Sequence, residues 1–302
     1  MKNTDRPFAG ILLMLGFCVL APLGDGLAKL LGGAVALGLL VFARFAIQAV
    51  VLVPLVMARG GSLRAPQELR HLVWARSILH IAGMGLMFGA LRFLPLADAL
   101  AIAFVMPFIL LLLGRFVMNE QVGPQRLIAC AVGFAGTLLV IQPNFAEVGA
   151  PALLPLGVAV TFALFMLVTR HLSGEIDPVR LQAIGGLQAS VVVLPLLIVI
   201  PGPMTTLTVP DGPTLLLVLL MGLVGTFAHL LITWSLRCAP ASTLAPMQYL
   251  EIPFGTAIGW AMFGDLPNGL AAAGIVVTVA AGLYVIVRER NLSRRATPAA
   301  PA

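Results

Sequence analysis

Leu91-Arg92-Phe93-Leu94-Pro95 and Leu236-Arg237-Cys238-Ala239-Pro240 share the pattern Leu-Arg-x-x-Pro at an offset of 145 residues. At the same offset Gly114 matches Gly259 and Glu120 matches Asp265. Earlier in each half the offset is 141: Leu15-Gly16 matches Leu156-Gly157, Gly33 matches Gly174, and Pro54-Leu55 matches Pro195-Leu196. Chance matches are common between apolar sequences, so no single pair decides anything. Their preserved order and nearly constant offset argue for an internal duplication.

The duplicated material is apolar. Of 302 residues, 60% are hydrophobic and 10% charged, against about 25% charged in ordinary soluble domains. Mean hydropathy is +1.05. Eighteen basic and 12 acidic side chains cannot cover a water-soluble domain of this size. This excludes a soluble enzyme, a disordered chain and a nucleic-acid binder. The basic balance forms no patch interleaved with aromatics. Cys18, Cys130 and Cys238 sit in apolar segments without a C-x-x-C pair, so neither a zinc site nor a disulfide framework is expected.

Ten apolar segments have membrane-spanning length: roughly 8–31, 34–57, 71–93, 95–118, 125–142, 152–172, 179–200, 213–237, 240–263 and 269–287. The first is too long for a signal-peptide core and reads as a retained span. Five spans per copy is an odd number, so the second copy enters the membrane from the opposite side. The expectation is an all-α integral membrane protein of ten transmembrane helices built as two inverted five-helix repeats, 1–147 and 148–290, with a disordered cytoplasmic tail at 291–302. With the N-terminus inside, fifteen Lys and Arg fall on the cytoplasmic side, only Lys29 and Arg92 near the outside, and Arg44 in mid-span. Positive charge marks cytoplasmic loops, so both termini are expected in the cytoplasm and the membrane is expected to be a bacterial inner membrane.

With these features the chain resembles the drug/metabolite transporter superfamily, EamA-type. The resemblance is carried by Ala90-Leu91-Arg92-Phe93-Leu94-Pro95-Leu96-Ala97-Asp98-Ala99, Pro107, Asn119-Glu120, and Gly133 and Gly136, with the second-half echo at Arg237, Pro240 and Asp265. It covers nearly the whole chain. It implies secondary transport of small organic metabolites such as amino acids, vitamins or amphipathic compounds, in either direction. Inverted repeats are themselves a transporter architecture, with the site near the midplane.

No phosphate-binding loop G-x-x-x-x-G-K-[ST] is present, and Lys2 and Lys29 are the only lysines, so ATP hydrolysis is not expected. H-E-x-x-H and G-x-S-x-G are absent, and His71, His80, His171 and His229 are scattered. No enzyme activity, metal or cofactor is expected. Ionisable groups inside spans are costly and usually face a cavity or a partner. Asp25, Lys29, Arg44, Asp98 and Glu251 qualify. Asp25 and Lys29 are four apart on one helix face, either beside an interruption at Pro22, Gly24 and Gly26 or as a local ion pair. Arg44 is too deep to reach the interface. It is expected to meet either Glu251 or a substrate anion through a bidentate contact. Glu251 is the candidate for proton coupling or for binding a substrate cation.

Span 9 contains Pro246-Met247-Gln248-Tyr249-Leu250-Glu251-Ile252-Pro253. Two prolines weaken the hydrogen-bond ladder around Gln248, Tyr249 and Glu251, a backbone tolerated only in protein or against water. Arg76, His80 and Met84 share a face by i, i+4 spacing, which makes His80 a candidate donor. Trp234 is a further candidate contact, with Gln48 and Gln188 as lesser ones. Gly85-x-x-x-Gly89 and Gly255-x-x-x-Gly259 are expected to serve close helix packing, within one chain or along a homodimer seam.

A secondary transporter using alternating access is the leading reading. An uncoupled facilitator or channel and a membrane receptor are the alternatives; short loops leave a receptor no signalling domain. A small-molecule metabolite and the lipid bilayer are the expected partners, and nucleic acid is not. The mixed-sign set Arg44, Glu251 and Asp25 suits a zwitterion or a polar aromatic metabolite, including a vitamin or nucleoside-like compound.

Overall fold

The computed structural model describes residues 6–94, 96–120, 122–141, 149–200, 202–206, 210–264 and 269–296. Of the sequence features above, Pro95 and Asp265 lie outside the described residues, as does the side chain of Asp98.

The described helices are α1 (Pro7–Leu31), α2 (Leu37–Ala58), α3 (Arg70–Ala90), α4 (Leu96–Ala103), α5 (Met106–Val117), α6 (Pro124–Ile141), α7 (Leu153–Ser173), α8 (Pro178–Val199), α9 (Gly212–Cys238), α10 (Ala241–Leu244), α11 (Glu251–Phe263) and α12 (Gly269–Ala296). No strand occurs among the described residues. Among the described residues, six helices are long and apolar enough to cross a membrane: α1, α2, the Gln67–Ala90 segment containing α3, α7, α8 and α9. Their starts follow local chemistry. Asp177 accepts from the amides of Val179 and Arg180 at 3.0 and 3.2 Å and opens α8. Asp211 accepts from Thr214 N at 3.0 Å and opens α9. A proline follows each cap within the first turn, where its missing N–H is no loss.

The sequence expects a span at 95–118 and one at 240–263 whose ladder is weakened by Pro246 and Pro253. Both are interrupted. The first is split at Phe104-Val105, between α4 and α5. The second passes through α10 and a 3-10 stretch, Ala245–Leu250, before α11. The second segments start at Met106 and Glu251, again 145 apart. The anticipated interruption of span 1 does not occur: α1 carries Pro22 inside a continuous helix. One proline is absorbed there because α1 is held along its length. A Cβ at Gly10 would lie 2.6 Å from Ala239 Cβ, one at Gly16 2.9 Å from Leu231 Cδ1, and one at Gly26 2.9 Å from Met262 Sδ. In the 240–263 segment, by contrast, Pro246 and Pro253 frame the turn together. There Cys18 Sγ donates to the carbonyl of Met247 at 3.6 Å.

The main helix contacts correspond when the halves are exchanged. α1 packs on α9 and α3 on α7; α2 packs on α8 and α6 on α12; α4 and α5 lie on α7 as the 3-10 stretch and α11 lie on α1. Backbones approach closely in the middle pairs. A Cβ at Gly186 would sit 3.0 Å from Ala49 N, and one at Gly136 3.0 Å from the Gly274 carbonyl. The Gly-x-x-x-Gly pairs singled out above do not form such seams as pairs, because Gly85 and Gly259 have nothing within 4 Å of an added Cβ. Their partner positions do pack, Gly255 against Leu100 and Gly89 more loosely against Leu37 and Leu154.

Outward faces are apolar: Val50 is 73%, Phe116 72% and Val199 73% exposed. Such surfaces suit lipid and not water. α12 continues past Asn291 to Ala296, where the sequence expects a disordered tail. Arg288, Glu289, Arg290, Arg294 and Arg295 include strong helix formers, and cations are favoured at a helix C-terminus.

Candidate functional site

Between the halves lies a cavity lined by α1, α2, α9 and the two interrupted segments. Phe17, Ala21, Gly24 and Asp25 of α1 form one wall, Arg44 of α2 another, and Gly225, Ala228 and His229 of α9 a third. The interrupted segments supply Phe104, Met106 and Glu251. Glu251 occupies the first turn of α11, directly after the 3-10 stretch, and its N–H donates back to the carbonyls of Gln248 and Tyr249. The breaks thus bring a helix start, a carboxylate and an aromatic ring to the middle of the bundle.

Arg44 is buried at 1% exposure and held by a network across the two halves. Its Nη1 donates to Gln48 Oε1 at 2.9 Å. Its Nη2 lies 3.0 Å from His229 Nδ1. Gln48 Nε2 donates to Gln182 at its carbonyl (2.7 Å) and at Oε1 (3.0 Å). Gln182 Nε2 donates to the His229 carbonyl at 2.6 Å and to Thr233 Oγ1 at 2.7 Å. Gly225 makes room for the guanidinium, since a Cβ there would overlap Arg44. Two of the five N–H donors of Arg44 are engaged by these side chains, which leaves donors for a ligand.

Asp25 and Glu251 line the same cavity as Arg44. No ion pair joins Arg44 to Glu251 among the described residues, so the pairing weighed from sequence is not formed. Glu251 is 6% exposed, and its Oε1 has no hydrogen-bond partner. Lys29 Nζ donates to the Leu94 carbonyl at 2.8 Å and lies over the ring of Phe263.

Of the sequence candidates, Asp25, Arg44 and Glu251 line the cavity. His80 lies one ring behind it, stacked on His229 with centroids 4.3 Å apart. Gln248 and Tyr249 are fully buried but turn elsewhere: Gln248 Nε2 reaches Met166 Sδ at 2.7 Å, and the Tyr249 ring covers Gly133 and stacks near Phe104 at 5.8 Å. The 3-10 winding explains this, because it places successive side chains on different faces. Trp234 is also away from the cavity, packed beside Leu52, Val56 and Leu230 in a separate cluster. Met84, named on the face of His80, also lines the cavity, but sequence reasoning missed the other aromatic and thioether walls, Phe17, Phe104, Phe162, Met87 and Met221. In so apolar a chain they look like any lipid-facing residue. It also missed Gln182, whose mid-span polarity was the available signal.

One end of the bundle is tied across the halves. Glu120 accepts from Ala241 N at 3.0 Å and Ser242 N at 2.8 Å, so it caps α10 from the other half. Arg126 Nη1 donates to Ser242 Oγ at 3.1 Å. Arg170 pairs with Glu120 at 4.0 Å and donates to the Leu236 carbonyl at 2.7 Å.

The EamA-like transporter family matches the chain twice, over residues 8–142 and 150–288. The chain belongs to the EamA-like transporter family. A riboflavin transporter of Rhizobium johnstonii is 30% identical over 238 residues, 78% of this chain and 76% of that protein. An S-adenosylmethionine uptake transporter of Rickettsia prowazekii is 24% identical over 283 residues, 93% and 94% of the two chains. A solved crystal structure shares the fold with a TM-score of 0.74 at 21% identity, covering 95% of this chain and 98% of its own. This EamA-like protein is therefore a multi-pass integral membrane protein and a transporter of small metabolites.

Proposed function

We propose that this transporter carries a polar aromatic metabolite of the vitamin or nucleoside class across the bacterial cytoplasmic membrane, by alternating access between two inverted five-helix repeats. The carrying observation is the cavity itself, in which one cation and two acids are set into walls of phenylalanine and methionine. Phe17, Phe104 and Phe162 offer ring faces for a flat heteroaromatic system. The methionines adapt to its outline. Arg44 meets a carboxylate or ring carbonyl, and Asp25 and Glu251 meet a cationic or N–H edge.

The cargo named for the relatives fits this chemistry. Riboflavin presents a flat ring system with carbonyl and N–H edges, and S-adenosylmethionine joins a purine to a zwitterionic, positively charged tail. The exchange symmetry of the helix packing and the double family match support two repeats. Five spans in each is the reading of the ten apolar segments, and cytoplasmic termini that of the basic loops. Glu251, a carboxyl group inside the cavity without a hydrogen bond on Oε1, is the proposed proton carrier, and Arg44 the proposed anchor. A metabolite screen on cells gaining or losing the protein, read on both sides of the membrane, tests the substrate class. Accumulation confined to aliphatic sugars or inorganic ions would remove it.

A further inference from the structure

Behind the cavity lies a second polar cluster, centred on Arg76 of α3. The side chain is fully buried. Its Nε donates to Thr169 Oγ1 on α7 at 2.8 Å, and its guanidinium lies over the ring of Phe165, 4.6 Å from the centroid. Nη1 and Nη2 have no hydrogen-bond partner. One helical turn along α3, His80 packs against the same Phe165 at 4.6 Å and stacks on His229 at 4.3 Å. The Nε2 atoms of both histidines are also buried without a partner. Four orphaned nitrogens on three side chains therefore lie together, and no carboxylate pairs with Arg76 among the described residues.

Unpaired polar groups are expensive to bury, and a guanidinium most of all. Ionisable groups kept inside a membrane at such expense mark substrate and ion pathways. The cluster is continuous with the cavity through His229, whose Nδ1 faces Arg44 while its ring lies on His80. It also lies toward the basic loop. Arg76 is six residues from the start of α3 at Arg70, a rise of about 9 Å, and the preceding loop carries Arg59 and Arg64. Gly185 of α8 leaves space beside it, because a Cβ there would come within 3.0 Å of Nη1.

We infer that Arg76, with His80 and His229, forms an inner anion station that opens to the cytoplasm in the alternate state and receives the anionic or carbonyl oxygen held by Arg44 in the cavity. The inference rests on the alternating-access reading. Arg44 and Arg76 are then successive anchors for one group of the substrate, with the stacked imidazoles between them.

The test uses Thr169→Cys in a chain whose Cys18, Cys130 and Cys238 are replaced by serine. The substituted thiol lies beside the guanidinium. The probes are an anionic sulfonatoethyl thiosulfonate and a cationic trimethylammonioethyl thiosulfonate, added to inverted membrane vesicles. The anionic reagent reacts about tenfold faster, the scale expected of a nearby unit charge in a partly desolvated site. Arg76→Met abolishes the preference and Arg76→Lys keeps part of it. Where Arg76→Met fails to insert, Gly185→Ala crowds Nη1 and lowers the same preference. A thiol inert to both reagents, or equal rates unaffected by Arg76→Met, overturns the station. Uptake of riboflavin and S-adenosylmethionine is followed in the same Thr169→Cys chain. Transport with an inert thiol removes the station and leaves the transport reading intact. An anion-selective thiol in a chain that moves neither compound supports the station and counts against these two compounds as substrates.

Discussion

Nη2 of Arg44 and the carbonyl of Gly225 both lie 3.0 Å from the same atom, Nδ1 of His229. A guanidinium only donates and a carbonyl only accepts. The ring nitrogen therefore serves one of them at a time. With the proton on Nε2 it accepts from Arg44; with the proton on Nδ1 it donates to Gly225 and releases the arginine. The imidazole tautomer and the freedom of Arg44 to turn to a substrate are thus linked.

The link makes His229 a positioning residue for Arg44. His229→Leu removes the acceptor and is expected to raise KM for uptake about tenfold to a hundredfold, the scale of a hydrogen bond to a charged group. His229→Asn, which keeps an acceptor near the Nδ1 position, restores much of the loss. Equal KM values for both variants and wild type would show that Arg44 does not depend on this contact.

Gly225→Ala places a methyl where the Arg44 guanidinium lies. The expected result is a protein that inserts but transports with KM raised at least about tenfold, as for a displaced charged anchor. Gly85→Ala is the control, since nothing lies within 4 Å of its added Cβ. Uptake assays on both variants, with thermal unfolding in detergent, separate a displaced arginine from a general loss of stability.

Glu120 satisfies two amides at the start of α10 from the opposite half of the chain. Glu120→Ala leaves both donors without that partner and is expected to destabilise the protein by about 1–3 kcal/mol, read as a lower Tm. Glu120→Gln keeps acceptor capacity on one oxygen and falls between. A Tm unchanged in both would mean that other groups or water replace the carboxylate.

Glu251 is the proposed site of proton coupling. Uptake into vesicles is expected to respond to an imposed pH gradient and to fall when a protonophore collapses it. Glu251→Gln, which cannot exchange a proton, is expected to make transport indifferent to both. Indifference of the wild-type protein would point to facilitated diffusion.

The outer course of the fold was legible because long apolar runs bounded by charge leave few alternatives. Residues 8–31 became α1, Pro7–Leu31, and 213–237 became α9, Gly212–Cys238. The split at Phe104-Val105 was not legible, since only Pro107, in the first turn of α5, hints at a new helix start. The match at 145 residues with the proline-rich segment before Glu251 was the signal left unused. Arg44, Asp25 and Glu251 stood out because charge is rare in a membrane span. Gln48 was visible as a lesser candidate, but the contacts were not, because the Arg44–His229 contact joins residues 185 apart and depends on how the halves pack. The phenylalanines and methionines of the cavity carry no mark in the sequence that separates a cavity face from a lipid face.

The most direct measurement is uptake of radiolabelled riboflavin and S-adenosylmethionine by proteoliposomes holding the purified protein, with preloaded unlabelled compound to drive exchange. The account predicts saturable exchange of at least one polar aromatic compound, lost in Arg44→Ala and preserved in Arg64→Ala, whose side chain lies in the loop after α2. Saturable exchange that persists unchanged in Arg44→Ala would contradict the cavity as the site of transport. Failure of wild-type protein to exchange either compound, or any other polar aromatic metabolite, would contradict the substrate class.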